Sequence, residues 1–322
     1  MTLRLPHRWV WDFWLAWDGS HHHAFYLQAP RSIGDPEQRH WNVSIGHAVS
    51  LDLETWEPVA DALLPGPAGG FDDYTVWTGS VVRHGGRWVM LYTGTSHAER
   101  GLVQRIGLAV SDDLNAWRRH DEPVLTADPS RYETLDSAMW HDQAWRDPWL
   151  FFDPDDNHLH AIFTARSNHG ARFDRGVIGH ARSSDLHNWE IHDPMSTTTG
   201  FGQLEVPQLL KLEQHWYLLF CSDTETQSPQ RRAAQTGTGT YYMIADSKYG
   251  PFEMIDDGVL DADESGASYA GKLHLGADGT VWYLAWDRVG PDGGFVGELA
   301  QPRRIEIRHD GSLALRERQA HR

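Results

Sequence analysis

Short apolar and aromatic runs recur in pairs along the chain, and each pair is separated by a turn. The paired runs are 9–15 with 24–27, 77–82 with 88–93, 149–152 with 159–164, 205–212 with 216–220, and 271–275 with 281–286. Turn residues such as Asp18-Gly19, Gly85-Gly86 and Asp278-Gly279 separate the two runs of a pair, which is typical of β-hairpins. The pattern therefore predicts five hairpins at intervals of about sixty to seventy residues.

A second repeat follows these hairpins. Gly-His-Ala-Val-Ser at 46–50, Gly-Leu-Ala-Val-Ser at 107–111 and Gly-His-Ala-Arg-Ser at 179–183 each continue through Asp-Leu to a tryptophan, and a degenerate fourth copy ends at Phe252. Each period can hold four strands, and radial repetition of four-stranded sheets is a β-propeller. Segments 303–307 and 312–315 supply a last outer hairpin. We predict an all-β fold, a five-bladed β-propeller with four antiparallel strands per blade, and one domain over residues 1–322.

Composition narrows the classes of partner and cofactor. Sixteen Trp, thirty Gly and sixteen Pro agree with short strands and turns, and the net charge of −17 argues against nucleic acid as a partner. Cys221 is the only cysteine, so an internal disulfide or a cysteine metal cage is excluded, and the twenty histidines show no metal-ligand spacing. We expect no metal and no cofactor. The sequence contains no apolar run long enough for a leader peptide or a membrane span. We therefore expect no membrane association and a cytoplasmic location.

Three of the five predicted inner strands carry an acid near their start. Asp12 lies among tryptophans, Asp147 follows Arg146, and Glu205 opens the apolar run 205–212. In a propeller the innermost strand of each blade lines the central channel, so equivalent positions on different blades converge on one axis. The corresponding starts of blades two and five, at Trp77 and Tyr269, carry no acid. The sequence thus predicts three carboxylates in one cavity.

Carboxylates gathered in a cavity provide the chemistry of glycoside hydrolysis. Their mutual repulsion raises the pKa of at least one of them, which supplies an acid and a base. Tryptophans beside them, Trp11 and Trp14, offer flat apolar faces for sugar rings. The alternative for each acid is a strand-end carboxylate that caps a backbone amide, but three acids at matched blade positions favour catalysis. A small-molecule sugar is the predicted partner.

Several motifs, taken in order, carry a family resemblance. They are Val10-Trp11-Asp12-Phe13-Trp14, Gly-His-Ala-Val-Ser at 46–50 with its continuation to Trp56, Trp-Thr-Gly-Ser at 77–80, Arg146-Asp147-Pro148 and Glu205-Val206-Pro207. This series resembles the invertase and levansucrase clan, glycoside hydrolase families 32 and 68, whose catalytic domain is a five-bladed propeller. The first motif is closer to the levansucrase form, and the last has valine where invertases have cysteine.

The resemblance implies a retaining double displacement. Asp12 is then the nucleophile, Glu205 the general acid/base, and Asp147 the transition-state stabiliser that binds two fructose hydroxyls. Arg146 is expected to keep Asp147 ionised, the alternative being a structural ion-pair partner. Valine at 206 is expected to tune the pKa of Glu205 without abolishing its role.

Further substrate contacts follow from the same resemblance. Trp77 and Thr78 match the sugar-contacting aromatic residue of the family and its hydroxyl neighbour, and Gln28 approximately matches its glutamine. Trp11 and Trp14 are predicted to wall the sugar pocket, although one of them is expected to pack between blades. The C-terminal β-sandwich of invertases is expected to be absent.

We therefore expect a β-fructofuranosidase that acts on sucrose or short fructo-oligosaccharides. Three alternatives stay open: a fructosyltransferase using the same site, an inverting arabinofuranosidase or xylosidase-like hydrolase, and a non-catalytic carbohydrate-binding propeller. The sequence gives no assembly state, and an oligomer is compatible with it.

Overall fold

The fold is a ring of antiparallel sheets, given by a computed structural model that describes residues 3–276 and 278–316. The first four blades each contain four strands in chain order from centre to edge. Blade one contains β1 (Arg8–Trp17), β2 (His22–Pro30), β3 (Ser44–Ser50) and β4 (Glu57–Pro58), and blade two contains β5 (Thr75–His84), β6 (Arg87–Thr95), β7 (Arg105–Ser111) and β8 (Arg118–Arg119). Blade three contains β9 (Trp145–Asp153), β10 (His158–Arg166), β11 (Gly176–Ser183) and β12 (Glu190–His192). Blade four contains β13 (Glu205–Leu212), β14 (His215–Ser222), β15 (Thr238–Ala245) and β16 (Val259–Asp263).

The fifth blade differs in its third strand. After β17 (Ser268–Leu275) and β18 (Val281–Val289), two short strands, β19 (Phe295–Leu299) and β20 (Arg303–Ile307), both pair with β18. Pro302 lies between them and has no N–H for a ladder, which accounts for the break. β21 (Leu313–Leu315) pairs with β20, as the terminal hairpin predicts. Leu3 bridges Leu299, so the start of the chain joins this blade.

Contacts between the inner strands close the ring. β1 contacts β5, β5 contacts β9, β9 contacts β13, β13 contacts β17, and β17 contacts β1. Apolar side chains fill the space between neighbouring sheets, as where Leu91 of blade two and Phe163 of blade three share one buried cluster. These contacts confirm the predicted five-bladed propeller.

Helix is scarce in the part of the chain that the structure describes. One short α-helix, α1 (Pro229–Ala233), and five 3₁₀ segments lie in the loops: Arg31–Ile33, Pro36–Trp41, Leu135–Ser137, Arg172–Asp174 and Thr224–Thr226. Within residues 3–276 and 278–316, no helix has the length and apolar character needed to cross a membrane.

The repeated Ser-x-Asp-Leu-x-x-Trp segment forms the corner between the third and fourth strands. In blade two, Asp113 Oδ1 accepts hydrogen bonds from the backbone N–H groups of Asn115 and Ala116, each at 2.9 Å. Trp117 Nε1 donates to the carbonyl of Leu114 at 3.0 Å, and Leu114 has a φ of 66°. Equivalent leucines in blades one and three have φ values of 64° and 72°. The corner therefore depends on the aspartate, which compensates for a strained backbone.

Replacing Asp113 with alanine should lower the melting temperature by about 2 °C, because two backbone N–H groups of the corner lose their acceptor. The neighbouring Asp112, which makes only exposed ion pairs, provides the control. Thermal melts followed by circular dichroism would compare the two variants. Equal melting temperatures for both would contradict this role of the corner.

Candidate active site

All five inner strands break their pairing register at the same level. The unpaired residues are Asp12 in β1, Thr78 in β5, Asp147-Pro148 in β9, Val206-Pro207 in β13 and Ala270-Gly271 in β17. A β-bulge bends its strand and re-aims the side chains at that point. Three bulge residues, Asp147, Val206 and Ala270, have φ values of 58°, 51° and 51°. The bulges direct side chains from every blade to one end of the channel.

A cavity of about 570 Å³ opens at this end of the channel. Its walls include seven of the nine predicted site residues: Trp11, Asp12, Trp77, Thr78, Arg146, Asp147 and Glu205. The three acids come from blades one, three and four, as the matched blade positions predict. The closed ring thus brings together acids that lie far apart in the sequence.

Asp12 is held by two neutral donors. The Thr78 hydroxyl donates to Asp12 Oδ2 at 2.9 Å, and the indole N–H of Trp286 donates to Oδ1 at 3.0 Å. Burial raises the pKa of Asp12, and the negative charge of Glu205 acts in the same direction, whereas both hydrogen bonds oppose the rise. Each carboxylate oxygen of Asp12 therefore has a fixed direction.

Replacing Trp286 with phenylalanine should lower kcat/KM about ten- to hundredfold, because a hydrogen bond to a charged group is lost. Losing this donor also raises the pKa of Asp12, and the predicted nucleophile must be ionised, so the loss should be larger at pH 5 than at pH 7. Rates of sugar release at both pH values would measure it. Trp282→Phe, on the same strand but packed in another cluster, is the control and should keep wild-type rates.

Asp147 lies deeper in the site. Its Oδ2 accepts from the Thr164 hydroxyl at 2.9 Å and from the Val206 N–H at 3.2 Å, and it lies 3.5 Å from Arg146 Nε. Burial raises the pKa of Asp147 to about 6 despite the Arg146 guanidinium, and the charges of Asp12 and Glu205 add to the rise. Arg146 thus only partly offsets the effect of burial on this carboxyl.

Glu205 has a partner at each oxygen. Arg146 Nη2 lies 2.6 Å from Oε1, and the Tyr269 hydroxyl donates to Oε2. Arg146 therefore lines the cavity and bridges Asp147 and Glu205, so it forms the ion pairs that the structural alternative predicts. With two donors, the carboxylate of Glu205 is oriented toward the cavity.

Trp77 and Trp11 stand on the cavity wall. Trp77 Nε1 donates to the carbonyl of His40 at 2.9 Å. Trp11 packs against the Arg39 guanidinium, which lies 5.6 Å from the centre of its ring. Both aromatic rings therefore have fixed positions beside the carboxylates.

Gln28 does not line the cavity, which corrects its predicted role, whereas Trp14 is the one of the two tryptophans that packs between blades, as expected. Trp11 and Trp14 pair with Leu27 and Phe25, so they share one face of the sheet. Trp14 lies farther from the cavity, is 0% exposed, and stacks on Phe25 at 6.1 Å. Gln28 follows the cavity-lining Leu27 in β2, so alternation turns it to the opposite face. There its amide donates to Ser44 and Asp61.

The sequence of this chain matches one protein-family model over most of its length. Residues 14–316 match the model described as the glycosyl hydrolases family 32 N-terminal domain. This chain belongs to glycosyl hydrolases family 32. The match covers most of the chain and reaches all five blades, but it begins at Trp14 and so leaves out Trp11 and Asp12 of the cavity.

Curated relatives match shorter stretches of the family 32 chain. A 6(G)-fructosyltransferase of Asparagus officinalis is 38% identical over 116 residues, which are 34% of this chain and 18% of the relative. A levansucrase of Pseudomonas syringae pv. actinidiae is 28% identical over 160 residues, or 41% of this chain and 36% of the relative. The matched stretches thus span well under half of either relative.

Solved structures match nearly the whole family 32 chain in fold. Inulosucrase from Halalkalicoccus jeotgali bound to kestose gives a TM-score of 0.82 at 22% identity, covering 98% of this chain and 89% of that one. A family 32 β-fructofuranosidase of Bombyx mori gives 0.73 at 23% identity, covering 98% and 64%. At these identities the likeness concerns the propeller fold.

Several cavity residues were missed by the sequence prediction. Tyr269 directly precedes the bulge of blade five, as Glu205 does in blade four, and Trp286 lies directly across from it in the hairpin register. Blade equivalence alone could have identified both. Arg39 and His40 come from the 3₁₀ segment Pro36–Trp41, which has no repeated counterpart and so gave no signal. Burial lowers the pKa of His40 to about 3, and the nearby Arg39 charge adds to this effect.

One group of side chains has metal-like spacing, outside the cavity. Asp153, Asp156 and His160 offer ligand atoms within 4.8 Å of one another, near the β9–β10 turn. Lys248 Nζ already lies 2.5 Å from Asp153, and Asp156 contacts His160 at 3.0 Å. The negative charge of this group is therefore balanced by protein cations and hydrogen bonds.

Proposed function

We propose that this family 32 chain cleaves terminal β-D-fructofuranosides, sucrose or short fructo-oligosaccharides, by a retaining double displacement. The observation that carries the proposal is the difference between the hydrogen-bond donors to Asp12 and those to Glu205. Asp12 accepts only from neutral donors, Thr78 and Trp286, which leaves a nucleophilic carboxylate. Glu205 is instead held between Arg146 and Tyr269, where a proton donor can be oriented.

The first step forms a fructosyl ester. Asp12 attacks the anomeric carbon, the bond from that carbon to the leaving oxygen breaks, and its electron pair moves to this oxygen. A protonated Glu205 gives its proton to the same oxygen.

The second step regenerates the enzyme. Glu205, now ionised, removes a proton from the incoming water or sugar hydroxyl, whose oxygen attacks the anomeric carbon and displaces Asp12. Positive charge develops on the fructosyl ring in both transition states. Asp147, held by Thr164 and the Val206 N–H, is directed to bind ring hydroxyls and stabilise this charge.

Activity should fall as the pH drops through about 6. Asp147 must be ionised to stabilise the transition state, and burial raises its pKa to about 6. The protonated fraction therefore grows below that pH and removes active enzyme. A profile of kcat/KM between pH 4 and 8 measures this limb, and a rate that stays constant down to pH 4 would contradict it.

The relatives support a fructosyl substrate but leave the acceptor open. Their names include both fructosyltransferases and β-fructofuranosidases, and one similar structure contains kestose. Hydrolysis and transfer differ only in whether water or a sugar resolves the ester. The acceptor therefore has to be determined by measurement.

Incubation with sucrose, followed by quantification of glucose and fructose, tests the proposal. Equal amounts indicate hydrolysis, and glucose in excess of fructose indicates transfer. Kestose and an aryl α-L-arabinofuranoside complete the panel. Release from the arabinofuranoside alone would overturn the fructoside assignment in favour of an arabinofuranosidase, and release from none of the three would favour a carbohydrate-binding propeller.

A further inference from the structure

Lys272 is a buried cation directly behind the candidate active site. It follows the bulge of β17 in blade five, is 4% exposed, and does not line the cavity. Its Nζ donates to the carbonyls of Val206 at 2.6 Å and Pro207 at 3.1 Å. These are the two unpaired residues of the bulge that follows Glu205 in β13. The ammonium group therefore ties blade five to the backbone that carries Glu205.

The surroundings of this ammonium group come from blades one, three and four. The ring of Trp149, on β9, has its centre 5.6 Å from Nζ. The charged or titratable groups that act on it are the Cys221 thiol of β14 and the carboxylates of Asp147 and Asp12. Burial raises the pKa of Cys221 to about 12, so this thiol is neutral near pH 7.

The Lys272 charge is costly to bury. Within residues 3–276 and 278–316, Lys272 forms no ion pair with a carboxylate. Two backbone carbonyls and the ring of Trp149 take the place of the water that would surround the ammonium group in solution. Burial lowers the pKa of Lys272 to about 8, while Asp147 and Asp12 oppose this change. At pH 7 the group therefore remains charged at the expense of stability. A purely structural role would be served better by an uncharged side chain of the same length.

We propose that Lys272 is a positioning residue of the fructosyl transfer chemistry, which rests on the proposed function. Through the carbonyls of Val206 and Pro207 it fixes the bulge that aims Glu205. Its positive charge also stabilises the ionised forms of Asp147 and Asp12 from behind the cavity. Lys272 thus places a positive charge beside the carboxylates of Asp147 and Asp12.

Three substitutions separate these roles. Lys272→Met removes the charge and the donors at similar length, Lys272→Gln keeps a donor without the charge, and Lys272→Arg keeps both. Lys211→Met, on the exposed part of β13, is the matched control. For Lys272→Met we expect kcat for sucrose to fall about tenfold with KM changed less than about threefold, because Glu205 is misaimed but the sugar still binds.

The pH profile tests the charge. Without the ammonium, the acidic limb of kcat/KM should move up by about one pH unit in Lys272→Met and Lys272→Gln, and Lys272→Arg should restore it. Carboxyl ¹³C NMR titration of Asp147, assigned with Asp147→Asn, should show the same upward shift of the pKa. The NMR result needs no turnover, so it tests Lys272 even if the wild type cleaves no fructoside.

Thermal melts complete the experiment. Lys272→Met should fold and melt close to the wild-type temperature at pH 7, because removal of the buried charge offsets the loss of the donor to the Val206 and Pro207 carbonyls. The proposal is overturned if Lys272→Met keeps the wild-type kcat and the Asp147 titration is unchanged. It is also overturned if Lys272→Met fails to fold, which would assign this lysine to the fold itself.

Discussion

Replacing Asp12 with asparagine should reduce fructose release from sucrose by on the order of 10⁴-fold or more. The amide has nearly the shape of the carboxylate but cannot form the ester with the anomeric carbon. Thr78 and Trp286 keep their places around it, so the binding of sucrose should change little. Initial rates and calorimetric titration with sucrose would measure the two effects separately.

A carboxylate of the same blade supplies the control for Asp12. Asp61 accepts from Gln28 at 2.7 Å and lies outside the cavity. Asp61→Asn should therefore keep kcat within about threefold of wild type. If Asp12→Asn retained more than a hundredth of the wild-type rate, Asp12 would not be the nucleophile.

Replacing Glu205 with glutamine should slow sucrose cleavage by about 10³-fold, because the leaving oxygen then departs without a proton. With β-fructofuranosyl fluoride, whose leaving group needs no proton, the loss in the first step should be much smaller. The ester on Asp12 should then accumulate, since water also lacks its base. Burst kinetics of fluoride release would measure both effects.

Azide provides the decisive control for Glu205. It is a nucleophile that needs no general base, so it should restore turnover of the fluoride by Glu205→Gln and give fructosyl azide. Glu190→Gln, an exposed residue of blade three, should behave as wild type. An equal loss of rate for sucrose and the fluoride, without azide rescue, would contradict the acid/base role.

The fold was largely predictable because its repeats have a local physical cause. Each Ser-x-Asp-Leu-x-x-Trp corner satisfies its own backbone hydrogen bonds, so the same residues recur wherever a blade turns. The split third strand of blade five was not predicted. It has no copy of the corner, and the break at Pro302 depends on how β19 and β20 both reach β18.

The site was predictable as far as blade equivalence applies. Asp12 and Asp147 are bulge residues and Glu205 directly precedes its bulge, so the inner-strand pattern was sufficient to bring them together. Gln28 was misplaced, and the sequence left open which of Trp11 and Trp14 faces the cavity, because motif likeness gives neither the face of the sheet nor the distance from the cavity. The pairing register with β2 supplies both.

Other contacts depend on packing alone. Arg39 enters the cavity from an irregular segment, and the Glu205 carboxylate meets the Tyr269 hydroxyl of another blade. Lys272 reaches two carbonyls of the neighbouring inner strand β13. Such contacts between distant parts of the chain leave no periodic trace in the sequence, so only the assembled ring identifies them.

The most direct test is mass spectrometry of Glu205→Gln after brief incubation with β-fructofuranosyl fluoride. We predict one added hexosyl unit on the peptide that contains Asp12, and its loss when azide is supplied. Release of fluoride with no adduct, or an adduct on any other residue, would contradict a double displacement through Asp12.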